Sequence, residues 1–239
     1  MSRVRRWPRR SVGLPNGQRL LDEMPRFSDA PTRWAPAVAT EPKVSVRLGD
    51  RDVTYSVAEL SAGDRFEPVE LTADFHCVTT WSVRDLRWTG VRLRDVIERA
   101  HGTDDLATFA RVTGADGAAA RFLVDDLLAD DVMLATHLGG EPLTLRHGAP
   151  LRLVSPAQYG YKNVKHVVSI EFVDREPESA FGAKEHLRGR VEHEERHSRL
   201  PNWAIRGPYR ALIPLTAMLG ERALRQRPAG APVRNPDAR

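Results

Sequence analysis

Only one cysteine, Cys77, occurs in the 239 residues. A single thiol closes no disulfide within the chain and completes no multi-cysteine zinc site or iron–sulfur cluster. Three roles stay open for it: an inert buried side chain, a nucleophile, or one thiolate ligand to a metal whose other ligands come from elsewhere. Long apolar runs are missing too. No stretch approaches the roughly 18 to 20 apolar residues that span a bilayer, so no transmembrane segment is expected. The basic opening of residues 1 to 10 is not followed by the apolar segment of an export signal. A cytoplasmic location is therefore the expectation, and scarce cysteine agrees with a reducing compartment. Aromatic residues do not interleave with the basic clusters in the way a single-strand binding groove requires, so no nucleic-acid partner is expected.

Hydrophobic residues make up 41% of the chain, enough for the core of one domain of ordinary size. The formal charge of +4 is unevenly placed: residues 183 to 239 hold twelve Lys or Arg against six Asp or Glu. Such a basic end suits an acidic partner or a solvated surface. Residues 1–43 are rich in Pro and Arg without periodicity and read as an irregular basic arm that wraps the body or is partly disordered. Regular structure begins at Val44, where Val44, Val46 and Leu48 alternate with polar residues. Gly49-Asp50 turns the chain, and Val53, Tyr55 and Val57 alternate again, which predicts a hairpin. Leu93, Val96, Ile97 and Ala100 form one helical stripe that Gly102 ends. Asp125 to Ala129 predicts another helical turn. Leu151–Val154 and Val167–Val173 read as strands, the second with Val168, Ile170 and Phe172 on one face. Short strands with a few short helices, without βαβ alternation, predict an α+β fold that is mostly β. The expected divisions are the arm, a body over 44–178, and a basic C-terminal extension over 179–239. Within the extension, Trp203 to Leu219 is apolar enough to pack on the body or on a partner.

Two segments carry candidate chemistry. In Phe75-His76-Cys77-Val78-Thr79-Thr80-Trp81-Ser82 the cysteine has polar neighbours, which suits a pocket better than a core. Hydroxyls beside a thiolate tune it as a ligand; Trp81 and Trp88 are placed to wall such a site. In Pro150 to Lys165, Arg152 sits in a strand, and Tyr159-Gly160-Tyr161-Lys162-Asn163-Val164-Lys165 offers a glycine turn and two lysines around a short exposed stretch. Backbone amides, ammonium groups and a guanidinium together can hold a phosphate. A strand arginine facing solvent is the plainer alternative.

These two segments, with Trp88-Thr89-Gly90-Val91-Arg92-Leu93 between them, resemble the molybdopterin-binding domain of the sulfite oxidase family. The resemblance covers roughly residues 44 to 175 and is nearest the bacterial branch that includes protein-methionine-sulfoxide reductase catalytic subunits. It implies a mononuclear molybdenum held by the pterin dithiolene and one cysteine thiolate, with oxo groups completing the sphere. Cys77 matches that cysteine. Arg152 and Asn163-Val164-Lys165 match positions that hold the pterin and its phosphate, the last through backbone groups of Asn163 and Val164. Thr113 and His147 fall where other cofactor contacts lie. His76, Thr79, Thr80 and Ser82 are further candidates around the metal or substrate. The resemblance implies two-electron oxygen-atom transfer on a small sulfite- or sulfoxide-like substrate. A separate electron-transfer protein or small redox carrier is expected, because the chain holds no haem, flavin or iron–sulfur motif.

The chain also departs from that pattern. The arginine-rich segment that follows the cysteine in animal and plant sulfite oxidases is replaced by Val78-Thr79-Thr80-Trp81-Ser82, which disfavours sulfite itself. Ala118-Ala119-Ala120 stands where many relatives have a tyrosine after the aspartate-glycine pair. Cofactor contacts from the relatives' N-terminal arms find no match in residues 1–43. Three alternatives remain beside the resemblance. One is a zinc hydrolase, because His193-Glu194-Glu195-Arg196-His197 fits the HExxH pattern. Its almost entirely charged flanks point instead to a solvated helix. The others are a non-catalytic basic binding module and a family member that has lost its cofactor. Asp125-Asp126 and Asp130-Asp131 read as helix-end or surface charges.

Overall fold

The computed structural model describes residues 13–15, 17–24, 39–180 and 185–200, the backbone of 5–6, and six isolated positions beyond 203. Two sheets organise the chain. The first contains β1 (Arg5–Arg6), β2 (Arg19–Leu20), β5 (Val69–Cys77), β6 (Trp81–Arg92), β9 (Met133–Leu138), β10 (Glu141–Pro142) and β11 (Arg152–Val154). The second runs β4-β3-β12-β7-β8, from β3 (Lys43–Leu48), β4 (Arg51–Ser56), β7 (Phe109–Gly114), β8 (Ala119–Leu123) and β12 (Val167–Val173). Among the described residues, the short helices α1 (Val57–Ser61), α2 (Leu93–His101) and α3 (Val124–Leu127) join the sheets in an α+β architecture. None of the described helices is long and apolar enough to cross a membrane.

The expected hairpin forms as β3 and β4, paired from Lys43↔Ser56 to Leu48↔Arg51. Ser56 then caps α1: its hydroxyl accepts from the Glu59 amide while the Glu59 carboxylate accepts from the Ser56 amide. The stripe Leu93, Val96, Ile97 and Ala100 is buried on α2, and Gly102, at φ 77°, ends the helix with a backbone that favours glycine. One detail of β12 differs from the sequence expectation. A register irregularity between Val167 and Ser169 shifts the alternation, so Val167 rather than Val168 joins Ile170 and Phe172 in the core.

The buried side chains of the described residues form two cores. The larger joins the second sheet to α1 and α2, with Val46, Tyr55, Ile97, Val112, Phe122 and Ile170 among its members. The smaller lies on the first sheet, around Phe75, Cys77, Trp81, Trp88 and Val154. Strand β5 feeds it with every second residue: Val69, Leu71, Ala73, Phe75 and Cys77 are buried and those between are half exposed.

Segments outside the expected body also take part. Within the arm, β1 pairs in parallel with β5 and β2 with β6, and Met24 is buried in the smaller core. Beyond the body, the segment 185–196 lies against the loop Gln158–Lys162. The Tyr159 amide donates to the Gly189 carbonyl at 2.8 Å, and the Val191 amide to Ala157 at 2.9 Å. Lys162 and Glu185, both wholly buried, form an ion pair at 3.0 Å. Lys162 also donates to the carbonyls of Arg121 and Leu187. Most of Trp203 to Leu219 lies outside the described residues, although Ile205 is buried.

Burial pulls the Lys162 pKa down to about 8, against the pull of Glu185, so the ammonium depends on its carboxylate. Removing one member of such a pair strands the other. Glu185→Ala is expected to cost about 3–5 kcal/mol in urea unfolding, most of it recovered in Lys162→Met/Glu185→Ala. A loss under about 1 kcal/mol for the single variant would show that the pair contributes no more than a surface contact.

Candidate active site

Cys77 ends β5 at the mouth of a tight turn. The Thr80 amide donates to the Cys77 carbonyl at 3.1 Å, and the chain re-enters the sheet as β6 with Cys77 opposite Trp81. The thiol is 7% exposed, and its sulfur lies 3.1 Å from the Thr79 hydroxyl. Strand alternation turns His76 to the other face, where its Nδ1 meets the buried Ser82 hydroxyl at 2.8 Å. Of the four polar neighbours expected around the thiol, Thr79 therefore touches it, whereas His76 and Ser82 pair with each other.

Phe75, two residues before Cys77, links this strand to the arginine. Its ring stacks on Trp81 with centroids 5.6 Å apart. The Arg152 guanidinium lies 5.2 Å from the Phe75 ring centroid and 5.2 Å from that of Trp88. Gly160 makes the approach possible, since a Cβ there would overlap the Phe75 ring. The Gly160 amide in turn donates to the His76 carbonyl at 2.8 Å.

Arg152 is 1% exposed, so it is not the solvent-facing strand residue of the plainer alternative. Its Nη1 donates to the His147 carbonyl at 3.0 Å and approaches the Met24 sulfur at 3.7 Å. Its Nε is buried without a hydrogen-bond partner, and no carboxylate among the described residues lies within ion-pair range of it. Burial lowers its pKa to about 9, which leaves it a cation at neutral pH. Arg152 also bridges to Lys165 across an antiparallel pair. The Lys165 ammonium donates to the Arg146 carbonyl at 3.0 Å.

His147 stands in this group, on a single turn of 3-10 helix at Leu145–His147. Burial, then Arg152, Lys165 and Arg146, drive its pKa down to about 4, so it is neutral at pH 7. A carboxylate close by would have acted in the opposite direction. A buried arginine with an orphaned N–H, a lysine, and a histidine held neutral by burial and then by these cations make a site suited to an anion.

The remaining expected residues lie elsewhere or act differently. Lys162 is buried against Glu185 and is not offered to a ligand. The amides of Asn163 and Val164 donate to the Gly160 and Lys162 carbonyls, at 3.1 and 2.9 Å. Asn163 is not exposed either: its Oδ1 accepts from the Ser155 amide at 2.9 Å. These residues set the shape of the loop. Thr113 lies in β7 of the second sheet, opposite Ser169. Its neighbour Gly114 lies so close to Lys165 that a Cβ there would overlap the Lys165 carbonyl. His193 to His197 do not form a helix. Residues 191–194 are turns, Glu194 has φ 51°, and Arg196 is wholly buried. No group of three His, Cys, Asp or Glu among the described residues is placed to hold a metal. Sequence reasoning missed Met24, Gln18 and Arg196 as neighbours of the site; periodicity gives no signal for residues reached only through the tertiary fold.

A soft sulfur donor two residues from the ring that packs Arg152, and a group of cations with no carboxylate partner for Arg152 among the described residues, suit a metal cofactor that carries a phosphate. The sequence profile of the oxidoreductase molybdopterin binding domain matches residues 34–181. The chain belongs to that family of molybdopterin-dependent oxidoreductase domains. It is 36% identical over 144 residues to the uncharacterized oxidoreductase YuiH of Bacillus subtilis (strain 168), a match covering 59% of this chain and 70% of YuiH. It is 34% identical over 154 residues to the protein-methionine-sulfoxide reductase catalytic subunit MsrP of Xanthomonas axonopodis pv. citri (strain 306), covering 57% and 47%. The sulfane dehydrogenase SoxCD from Paracoccus pantotrophus shares the fold, with a TM-score of 0.51 at 22% identity over 64% of this chain and 41% of that one. The chain thus spans less than half the length of these MsrP and SoxCD proteins.

The site residues make a titration prediction. An anion beside His147 favours the imidazolium, so its pKa should rise when the cofactor is bound. Proton NMR of the cofactor-free protein should show a His147 midpoint near 4, and the loaded protein a clearly higher one. Equal midpoints in the two forms would place the anion away from this cluster.

Proposed function

We propose that this domain uses molybdopterin for two-electron oxygen-atom transfer on a sulfoxide-like substrate, with Cys77 as the protein's ligand to the metal. When bound, the cofactor supplies a molybdenum that cycles between its hexavalent and tetravalent states. The chain's own residues do the positioning. Arg152 and Lys165 anchor the phosphate-bearing end, and His147, neutral and half-buried, offers a hydrogen-bonding nitrogen beside them. Thr79 hydrogen-bonds the sulfur and moderates its donor strength. Asn163 and Val164 keep the loop in shape, and Thr113 is a more distant contact.

The single observation that carries this reading is the wholly buried Arg152, with an orphaned Nε and no carboxylate partner among the described residues. A buried cation is costly unless something neutralises it, and an anionic cofactor does so. The reading of sulfoxide over sulfite rests on the turn after Cys77. Val78, Thr79 and Thr80 offer no cation to a sulfite dianion there. The identity to MsrP supports the same choice. The electron partner is proposed to be a separate protein or small carrier, since one cysteine cannot hold a cluster.

Protein produced in a host that makes the cofactor should contain molybdenum and yield the fluorescent oxidised pterin. It should oxidise a reduced dye when methionine sulfoxide is added, and turn over sulfite far more slowly. Arg152→Ala and Lys165→Ala should each reduce cofactor retention about ten- to a hundred-fold, the worth of a hydrogen bond to a charged group. Full cofactor in the double variant after prolonged dialysis would reject the anchoring assignment. Fully loaded protein that is inert toward both substrates would reject oxygen-atom transfer.

A further inference from the structure

The turn after Cys77 is held from both ends of the chain. From the N-terminal side, the Gln18 side-chain amide donates to the Cys77 carbonyl at 3.0 Å. From the C-terminal side, Arg196 Nη1 donates to the Val78 carbonyl at 2.9 Å. The turn needs holding. Thr80 is wholly buried and sits at φ 75°, a left-handed backbone that a β-branched residue adopts at a cost. Such a conformation persists where its surroundings over-determine it.

Arg196 does more than cap a carbonyl. It is wholly buried, and its guanidinium lies 4.9 Å from the Tyr159 ring centroid. Tyr159 opens the loop that ends at Lys165, and its amide is bonded to Gly189 of the same C-terminal segment. One guanidinium therefore touches both the thiol-bearing turn and the start of the anion-binding loop. It reaches the Val78 carbonyl, on the residue that follows the thiol.

We propose that Arg196 is a positioning residue that aims the Cys77 thiol. By fixing the peptide after Cys77 against Tyr159, it keeps the sulfur and the Arg152–Lys165 cradle in one relative placement. A soft donor a few tenths of an ångström out of place would strain any group held at both points. Gln18 performs the lesser half of the same task. The functional consequence rests on Cys77 being the metal's thiolate, whereas the clamp on the turn does not.

Cys77 is the only thiol, so its labelling rate reads the turn alone. In cofactor-free protein treated with an aromatic disulfide reagent, Arg196→Ala should label about ten-fold faster than wild type, the loss expected for one hydrogen bond from a charged donor. Gln18→Ala should give a smaller rise, and it serves if Arg196→Ala does not fold. Ile97→Val, a mild destabilisation in the other core, should leave the rate unchanged. In cofactor-loaded protein, the paramagnetic Mo(V) signal should shift or broaden in Arg196→Ala, stay as wild type in Ile97→Val, and recover in Arg196→Lys, which keeps a donor. Unchanged labelling in both Arg196→Ala and Gln18→Ala overturns the clamp. Faster labelling with an unaltered Mo(V) signal leaves a structural brace and overturns the positioning role. If Cys77→Ser itself leaves that signal intact, the metal-ligand reading has failed, and the labelling contrast still decides the clamp.

Discussion

A guanidinium buried between two aromatic rings, without a carboxylate among the described residues to balance it, is the constraint on which the site depends. Charges are rarely taken out of water without a partner, because the desolvation penalty exceeds what stacking and one carbonyl return. Arg152 is held by Phe75, Trp88, Met24 and the His147 carbonyl. The rings contribute some cation–π attraction, about 2 kcal/mol or more when desolvated, but they do not neutralise. Burial, and after it the neighbouring cations, depress His147 as well. The arrangement is thus costly by itself, and an anion would relieve it, as the proposed binding site requires.

The smaller core and the chain ends exist around that cradle. Strand β5 places Phe75 and Cys77 on one buried face, so the ring that packs the arginine and the sulfur that would meet the metal are two residues apart. Gly160 lets the loop close over Phe75. The arm contributes Met24 and Gln18, and the C-terminal segment contributes Arg196, Gly189 and Glu185. Neither end is ornamental where it is described. Each supplies a hydrogen bond to a carbonyl of the turn, Gln18 to that of Cys77 and Arg196 to that of Val78.

Legibility in the sequence followed locality. The β3–β4 hairpin, α2 and β12 show their period in a few residues, and they form where that period places them. Strand β5 alternates as clearly, Val-Glu-Leu-Thr-Ala-Asp-Phe-His-Cys, yet only the structure drew it out. Strands β6 and β9 were harder for a physical reason. β6 bends at Asp85, with φ 54°, and β9 is buried on both faces, so neither keeps a clean alternation. At the proposed site, Cys77 and Arg152 were singled out through motif resemblance, since residue type at a spacing carries that information. The role of Lys162 was not: a lysine beside an anion loop and a lysine in a buried ion pair look alike until Glu185, 23 residues on, is seen to meet it. Arg196 was hidden inside a charged run that resembled a metal motif on a helix. Its turn conformation and complete burial are tertiary facts.

The central claim is that Cys77 binds the metal while Arg152 and Lys165 hold the cofactor's anionic end. X-ray absorption at the molybdenum edge of the loaded protein, wild type beside Cys77→Ser, tests it most directly. A serine offers a hard oxygen where the thiolate was soft. The account predicts that the variant still retains pterin through the cradle but shows one sulfur fewer around the metal. An identical sulfur shell in the two proteins would contradict it.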